Sequence, residues 1–307
     1  MKNNLYNEFY CSVNDILKPR ITFQNDFNEV VSKMWGKPIT LYQALADKSY
    51  FDIIKLFPST KVEQTSEFAL ASLFSKACLI IEEIIALLKA GYPDGAMALS
   101  RTLHELKIYL LFLVENIENI ELFKRYYDYI DVEHYRDLKA YKEHCAILDM
   151  PFDMDEQLSE LAEKCLGYEL KYGADFLKKD NSWYLFIDGC NSFRDIEKYV
   201  GGDIDRIYYK FGCGAIHSSP THNYRSIGLR DNEDAVLLSG PSIYGLELPA
   251  HFSLNSLLNI IRGILYYFRI ECSVYFGYKE IVNDIQKEFI VSSMNVDNFY
   301  KDINENR

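Results

Sequence analysis

Apolar side chains at Leu70, Leu73, Phe74, Ala77, Ile81, Ile84, Ile85 and Leu88 recur at steps of three and four residues, and this spacing constrains the fold more than any other feature. It is the period of an α-helix with one face on a core. Leu79, Ile80 and Leu87 cover a second side, so a helix over residues 61–90 is expected to be central. Gly91-Tyr92-Pro93-Asp94 then supplies a residue tolerant of left-handed backbone, a proline that cannot continue the helix, and an Asp able to cap the next one. A second helix over 94–116 carries a seam of Leu99, Leu103, Leu106, Leu110 and Leu113, suited to antiparallel packing. The sequence therefore predicts an all-α, multi-helix bundle built around a central antiparallel helical hairpin.

The remaining segments fit the same class. Residues 1–57 read as several short helices broken at Pro19, Gly36 with Pro38, and Pro58. Longer helices are expected over 120–148 and 155–177, and shorter ones over 191–199 and 203–218 on either side of Gly201-Gly202. YRSIGL and AVLLSG flank RDNED, which suggests a small β-hairpin insertion near 224–240. A helix over 253–276 has a core stripe of Leu254, Leu257, Leu258, Ile261, Leu265, Phe268, Cys272 and Tyr275. The expected organisation is an N-terminal helical segment, residues 1–60, packed on a main helical domain, residues 61–307.

Charge and cysteine usage narrow the partners. A net charge of -12 and a pI near 5.1 repel nucleic acid and anionic lipid unless basic side chains gather on one surface. Seven cysteines are widely spaced and form no Cys-x-x-Cys, so they read as reduced, mostly buried thiols rather than a disulfide framework or zinc knuckle. The first residues, MKNNLYNEFYCSVNDIL, lack the apolar core of a signal peptide, and the longest uncharged apolar run, Ile108 to Val114, is too short to span a bilayer. A cytoplasmic protein without membrane association is expected.

Two polar signatures stand out. Ser100-Arg101-Thr102-Leu103-His104-Glu105 puts Arg101 and Glu105 on one helical stripe with Ile108 and Phe112. A charged pair continuing into an apolar stripe is either a structural clasp or the polar floor of a cleft. In RIYYKFGCGAIHSS, Arg206, Lys210 and His217 share one side of a helix, with Gly214 leaving room over the backbone for an anionic group such as a phosphate. The competing reading is that Gly212 and Gly214 allow close helix packing. His217, beside Ser218, Ser219, Thr221 and His222, is a structural residue or an acid–base group. Arg101, Glu105 and His217 are the catalytic candidates, and His104, Arg206, Tyr209, Lys210, Gly214 and Ser218 the ligand-contacting ones. A metal site from His104, Glu105, His217 and His222 would need convergence from separate helices, so no metal and no cofactor is expected. There is no GxxxxGK[ST], GxSxG, His-Glu-x-x-His or Glu-x-x-His. The run Tyr126-Tyr127-Asp128-Tyr129 faces a partner or a stacked base, or fills gaps between helices.

AGYPDGAMALSRTLHELKIYLLFLVEN, SWYLF and SFRDIEKYVGGDIDRIYYKFGCGAIHSS together resemble a bacterial helical family known as domain of unknown function 5677, over roughly residues 65–275. The resemblance implies an Arg and Glu four residues apart on an early helix, matched by Arg101 and Glu105. It also implies a tyrosine-bearing helix ending in His and a small residue, matched by Tyr208 or Tyr209, His217 and Ser218. A looser similarity is to the helical ribonucleases of toxin and phage-defence systems, although the spacings Arg101 to His104 and Arg206 to His217 depart from theirs. Two functions stay open: a module binding a small anion, a nucleotide or a protein partner, including a second copy, and a metal-independent ribonuclease-like phosphodiesterase acting on RNA.

Overall fold

The computed structural model describes residues 2–57, 65–178, 182–185, 187, 189–217, 220, 226–229 and 238–305, with backbone alone at 2–7 and 299–305. The secondary structure of these residues is helical, with no strand among them. In chain order the α-helices are α1 (Lys2–Ile54), α2 (Ser66–Lys89), α3 (Pro93–Glu115), α4 (Ile120–Ile147), α5 (Asp155–Tyr172), α6 (Phe193–Tyr199), α7 (Arg206–His217), α8 (Glu247–Tyr267) and α9 (Cys272–Glu305). Single 3-10 turns cover Ala174–Leu177 and Gly202–Asp205. The chain divides into two compact units, the first formed by 1–56, 75–107 and 205–307, the second by 57–74 and 108–204. The boundary falls inside α2 and α3.

In the first unit, α9 packs along α8 and α1, and α1 packs on α8. The centre of this unit is therefore not set by the α2–α3 pair alone, as the leucine seams suggested. The seams themselves are buried: Ile84 and Ile261 are fully enclosed and Leu106 nearly so. The turn between α2 and α3 forms as its residues dictate, with Tyr92 N–H donating to Leu87 O at 2.9 Å and Gly91 at φ +76°. A Cβ at Gly91 would meet the Phe27 ring at 2.5 Å and Ser242 O at 2.8 Å, so only glycine fits.

Three expectations are corrected. The short helices expected over 1–57 are one 53-residue helix, α1, with Pro19 and Pro38 inside it. An interior proline removes one ladder bond, and around Pro38 the burial of Trp35, Ile39 and Tyr42 holds the helix on. The single helix expected over 253–276 is two. α8 ends where Arg269 adopts φ 54° and Ile270 N–H reaches back to Leu265 O at 2.9 Å, a Schellman stop without its usual glycine. Cys272, placed in the core stripe, is instead exposed at the start of α9. The β-hairpin expected at 224–240 finds no support: 226–229 and 238–246 are turns and bends, and 224, 225 and 230–237 lie outside the described residues. The polar groups of these arms are taken up locally. Asp94 accepts from the Ser226 hydroxyl and from Ile227 N–H, Ser242 N–H donates to Gly91 O at 2.8 Å, and the Ser242 hydroxyl donates to Gly228 O at 2.6 Å.

The second unit is organised by a buried cation. Arg125 donates through Nε to Trp183 O and through a terminal nitrogen to Leu185 O, both at 2.9 Å. Its guanidinium carbon lies 4.9 Å from the Tyr172 ring centroid and 5.1 Å from that of Phe176, so it joins α4, the end of α5 and the 183–185 turn. The tyrosine run of α4 fills gaps here. Tyr126 meets the Trp183 ring edge-to-face, Tyr127 donates to Thr65 O at 2.7 Å, and Asp128 accepts from Tyr172.

Leu106→Ala is expected to cost ~2 to 5 kcal/mol in chemical denaturation, the range for a truncated core leucine. A loss under about 1 kcal/mol would place Leu106 outside the core.

Candidate functional site

α3 and α7 lie antiparallel in the first unit, and three contacts at successive levels fix their register. At the first, Gly212 approaches α3 so closely that a Cβ there would sit 2.6 Å from Arg101 Cβ and 3.1 Å from Met97 O. At the second, Tyr209 meets Arg101 and Glu105. At the third, Lys107 Nζ pairs with Asp205 Oδ2 at 2.7 Å, with only 1% of the lysine side chain and 12% of the aspartate exposed. Asp205 directly precedes α7, so its carboxylate also faces the positive end of that helix dipole. Lys107 was not among the sequence candidates. Its signal was a lone lysine inside the apolar run LHELKIYLLFLV.

The polar cluster sits between these anchors. Tyr209 Oη donates to Glu105 Oε1 at 2.8 Å and accepts from an Arg101 terminal nitrogen at 3.1 Å, while the same nitrogen pairs with Glu105 Oε1 at 2.9 Å. The Arg101 guanidinium carbon lies 5.0 Å from the Tyr209 ring centroid and that of Arg206 lies 4.8 Å away. Arg101 and Glu105 keep 19% and 27% of their side chains open to solvent, so the cluster is accessible. Arg101 Nε is buried and finds no acceptor among the described residues.

The electrostatics hold Tyr209 and Arg101 each in one charge state. Burial pushes the Tyr209 hydroxyl up to about 12, with Arg101 opposing and Glu105 adding to the rise. At neutral pH it is a donor, not a base. Burial works against the Arg101 charge, but the Tyr209 hydrogen bond and the Glu105 carboxylate outweigh it and hold its pKa above the ordinary value.

The other candidates are dispersed. His104 is fully buried, its ring 5.5 Å from Tyr209 and 5.3 Å from Phe252, and so lies beneath Tyr209 rather than open to a ligand. Lys210 and His217 are exposed on α7, and His217 is eight residues, roughly 12 Å of helix, beyond Tyr209. Gly214 is partly exposed, and Gly212 is the glycine seen in close approach to α3. Ser218, Ser219, Thr221 and His222 lie outside the described residues. Among the described residues no group of three or more His, Cys, Asp or Glu could hold a metal ion, and no helix is long and apolar enough to cross a membrane.

Two outcomes follow. Lys107→Ala strands a largely buried carboxylate and is expected to cost about 3–5 kcal/mol in denaturant unfolding, whereas Lys107→Met with Asp205→Leu should recover most of it. Equal losses in the single and double variants would show that the pair is not the relevant partner set. For Tyr209, the raised pKa means that the folded state holds the phenolic proton more tightly than the unfolded chain. Its contribution is whole below the ordinary tyrosine value of 10.0 and is lost as pH rises toward about 12. Melting curves across that interval should fall less steeply for Tyr209→Phe than for the parent; parallel curves would remove Tyr209 from the linkage.

Comparison with known proteins places this cluster in a family. The model of DUF5677, a family of unknown function, matches residues 67–235, more than half of the chain, and the match contains Arg101, Glu105, Lys107, Asp205, Arg206 and Tyr209. No curated protein and no solved structure matches the chain. On the extent of that match, the chain belongs to the DUF5677 family.

Proposed function

We propose that the protein is a binding module for a small anion, of the size and charge of a phosphate group, held at Arg101 and Arg206 beside Tyr209. The observation that carries this reading is the grouping of two guanidiniums around one neutral tyrosine, with an Arg101 Nε–H that has no acceptor among the described residues. Guanidinium groups present donors in a fork that matches phosphate oxygens, and Glu105 holds Arg101 in place while leaving it partly open to solvent. Binding of this kind draws on local charge, so the -12 of the whole chain favours a small ligand over a long polyanion.

The phosphodiesterase reading needs a proton-transfer group within hydrogen-bond reach of the charge-stabilising residues. Tyr209 is held protonated, Glu105 is committed to Arg101 and Tyr209, and His217 lies two helical turns away. The geometry therefore favours binding without turnover.

Inorganic phosphate in excess should raise Tm by mass action, ~2.7 kcal/mol of stabilisation at a hundredfold excess over Kd. Arg101→Ala and Arg206→Ala should each abolish the phosphate response, while Lys210→Ala and His217→Ala should keep it. An unchanged Tm in the parent, or equal responses in all four variants, would sink the proposal. Cleavage of labelled RNA that is lost in His217→Ala would select the enzymatic reading instead.

A further inference from the structure

One face of α1 runs the length of the helix but is covered along only part of it. Counted at 100° per residue, Val31, Trp35, Ile39, Tyr42, Leu45, Ala46 and Ile53 fall within one sector, and all are buried. Phe9, Tyr10, Val13, Ile16, Leu17, Ile21 and Phe23 continue the same sector, spread over roughly 160°. Of these, Phe9, Tyr10, Ile16, Leu17, Ile21 and Phe23 are between 47% and 61% exposed. The sequence has thus written a core face onto a stretch of helix that the described residues leave bare.

The register of α9 explains why. Tyr278 donates to Asp52, Lys37 pairs with Glu288, and the Trp35 and Phe289 rings lie 6.0 Å apart. The two helices are therefore antiparallel, and the described length of α9, to Glu305, reaches the level of roughly residue 20 of α1 at one residue per residue. Phe23 stacks on Phe27, and Arg20 reaches Tyr92 Oη at 3.5 Å. Residues 9–17 lie beyond both.

We propose that residues 8–23 of α1 form the interface of a symmetric dimer, pairing antiparallel with the same segment of a second copy. Area and charge both point to a second copy. Six large side chains, each with on the order of 100 Å² free, give about 1,200 Å² over two copies, the lower limit of a standard specific interface. The segment carries Glu8, Asp15, Lys18 and Arg20, hence no net charge, within a chain of -12. It is a surface through which two like-charged copies can approach without strong repulsion. A two-fold axis uses one patch twice, so a self-complementary apolar stripe suffices. A lone segment of this length, with Pro19 inside it, is marginal as a helix in water, so pairing and helix formation are coupled.

The test is sedimentation velocity on the full chain at micromolar concentrations, together with hydrogen exchange over residues 8–23. The parent is expected at twice the 35.8 kDa chain mass, with slowed exchange in this segment. Ile16→Glu with Leu17→Glu should give a folded monomer that still melts cooperatively, with a Tm lowered by no more than the lost dimer linkage, and whose residues 8–23 exchange at least tenfold faster. Asp15→Asn, on the opposite side of the helix, should remain dimeric. A monomeric parent overturns the proposal, and so does a double variant that stays dimeric. If the double variant fails to fold, Phe9→Ser with Leu17→Ser serves in its place and must give the monomer.

Discussion

Everything at the α3–α7 junction depends on one buried charge. An ammonium with 1% of its side chain exposed persists only if a carboxylate meets it, and Asp205 does so from the position immediately before α7. This fixes where α7 starts along α3. The helical repeat then brings Tyr209 level with Arg101 and Glu105, and Gly212 level with Met97. Had the pair been shifted by one residue, Tyr209 would have rotated by 100° and lost both partners. The desolvated pair thus acts less as a source of stability than as a specifier of register.

The fold was legible in the sequence wherever a stop signal coincided with a change in apolar period. The Gly91-Tyr92-Pro93 turn and the limits of α3 and α4 were readable for that reason. Where signal and structure parted, tertiary burial decided. Pro38 reads as a break, but the core around Trp35 and Tyr42 carries the helix through. Arg269 read as a helix interior, yet it takes the left-handed position that closes α8. That placement is paid for by the two carbonyls it satisfies, a pattern no residue-type rule announces.

The cluster was half legible. The four-residue step from Arg101 to Glu105, running into Ile108 and Phe112, placed a charged pair against a core, and the pair forms at 2.9 Å. Its third member was ambiguous, because Tyr208 and Tyr209 are neighbours in sequence and only the register set by Lys107 chooses between them. Gly214, between Lys210 and His217, reads as an open position and is partly exposed, while a close crossing with α3 falls at Gly212, one helical step that spacing alone does not single out. His217 drew attention as a rare residue type near a helix end. Rarity carries no information about which face of α7 meets α3.

The first unit is assembled from three separated stretches of chain, and this has a consequence for biosynthesis. Trp35, wholly enclosed, donates its indole N–H to Ile243 O, 208 residues later. At ribosomal speeds of about 5–20 residues per second, that acceptor emerges on the order of ten to forty seconds after the tryptophan. Until α8 and α9 arrive, α1 has α2 beside it, through Gln43 to Glu82 and Phe27 at Gly91, but not the neighbours that enclose Trp35. Closure of the core around Trp35 thereby waits until the chain has reached Ile243, an interval in which the indole N–H lacks the acceptor that its enclosure requires.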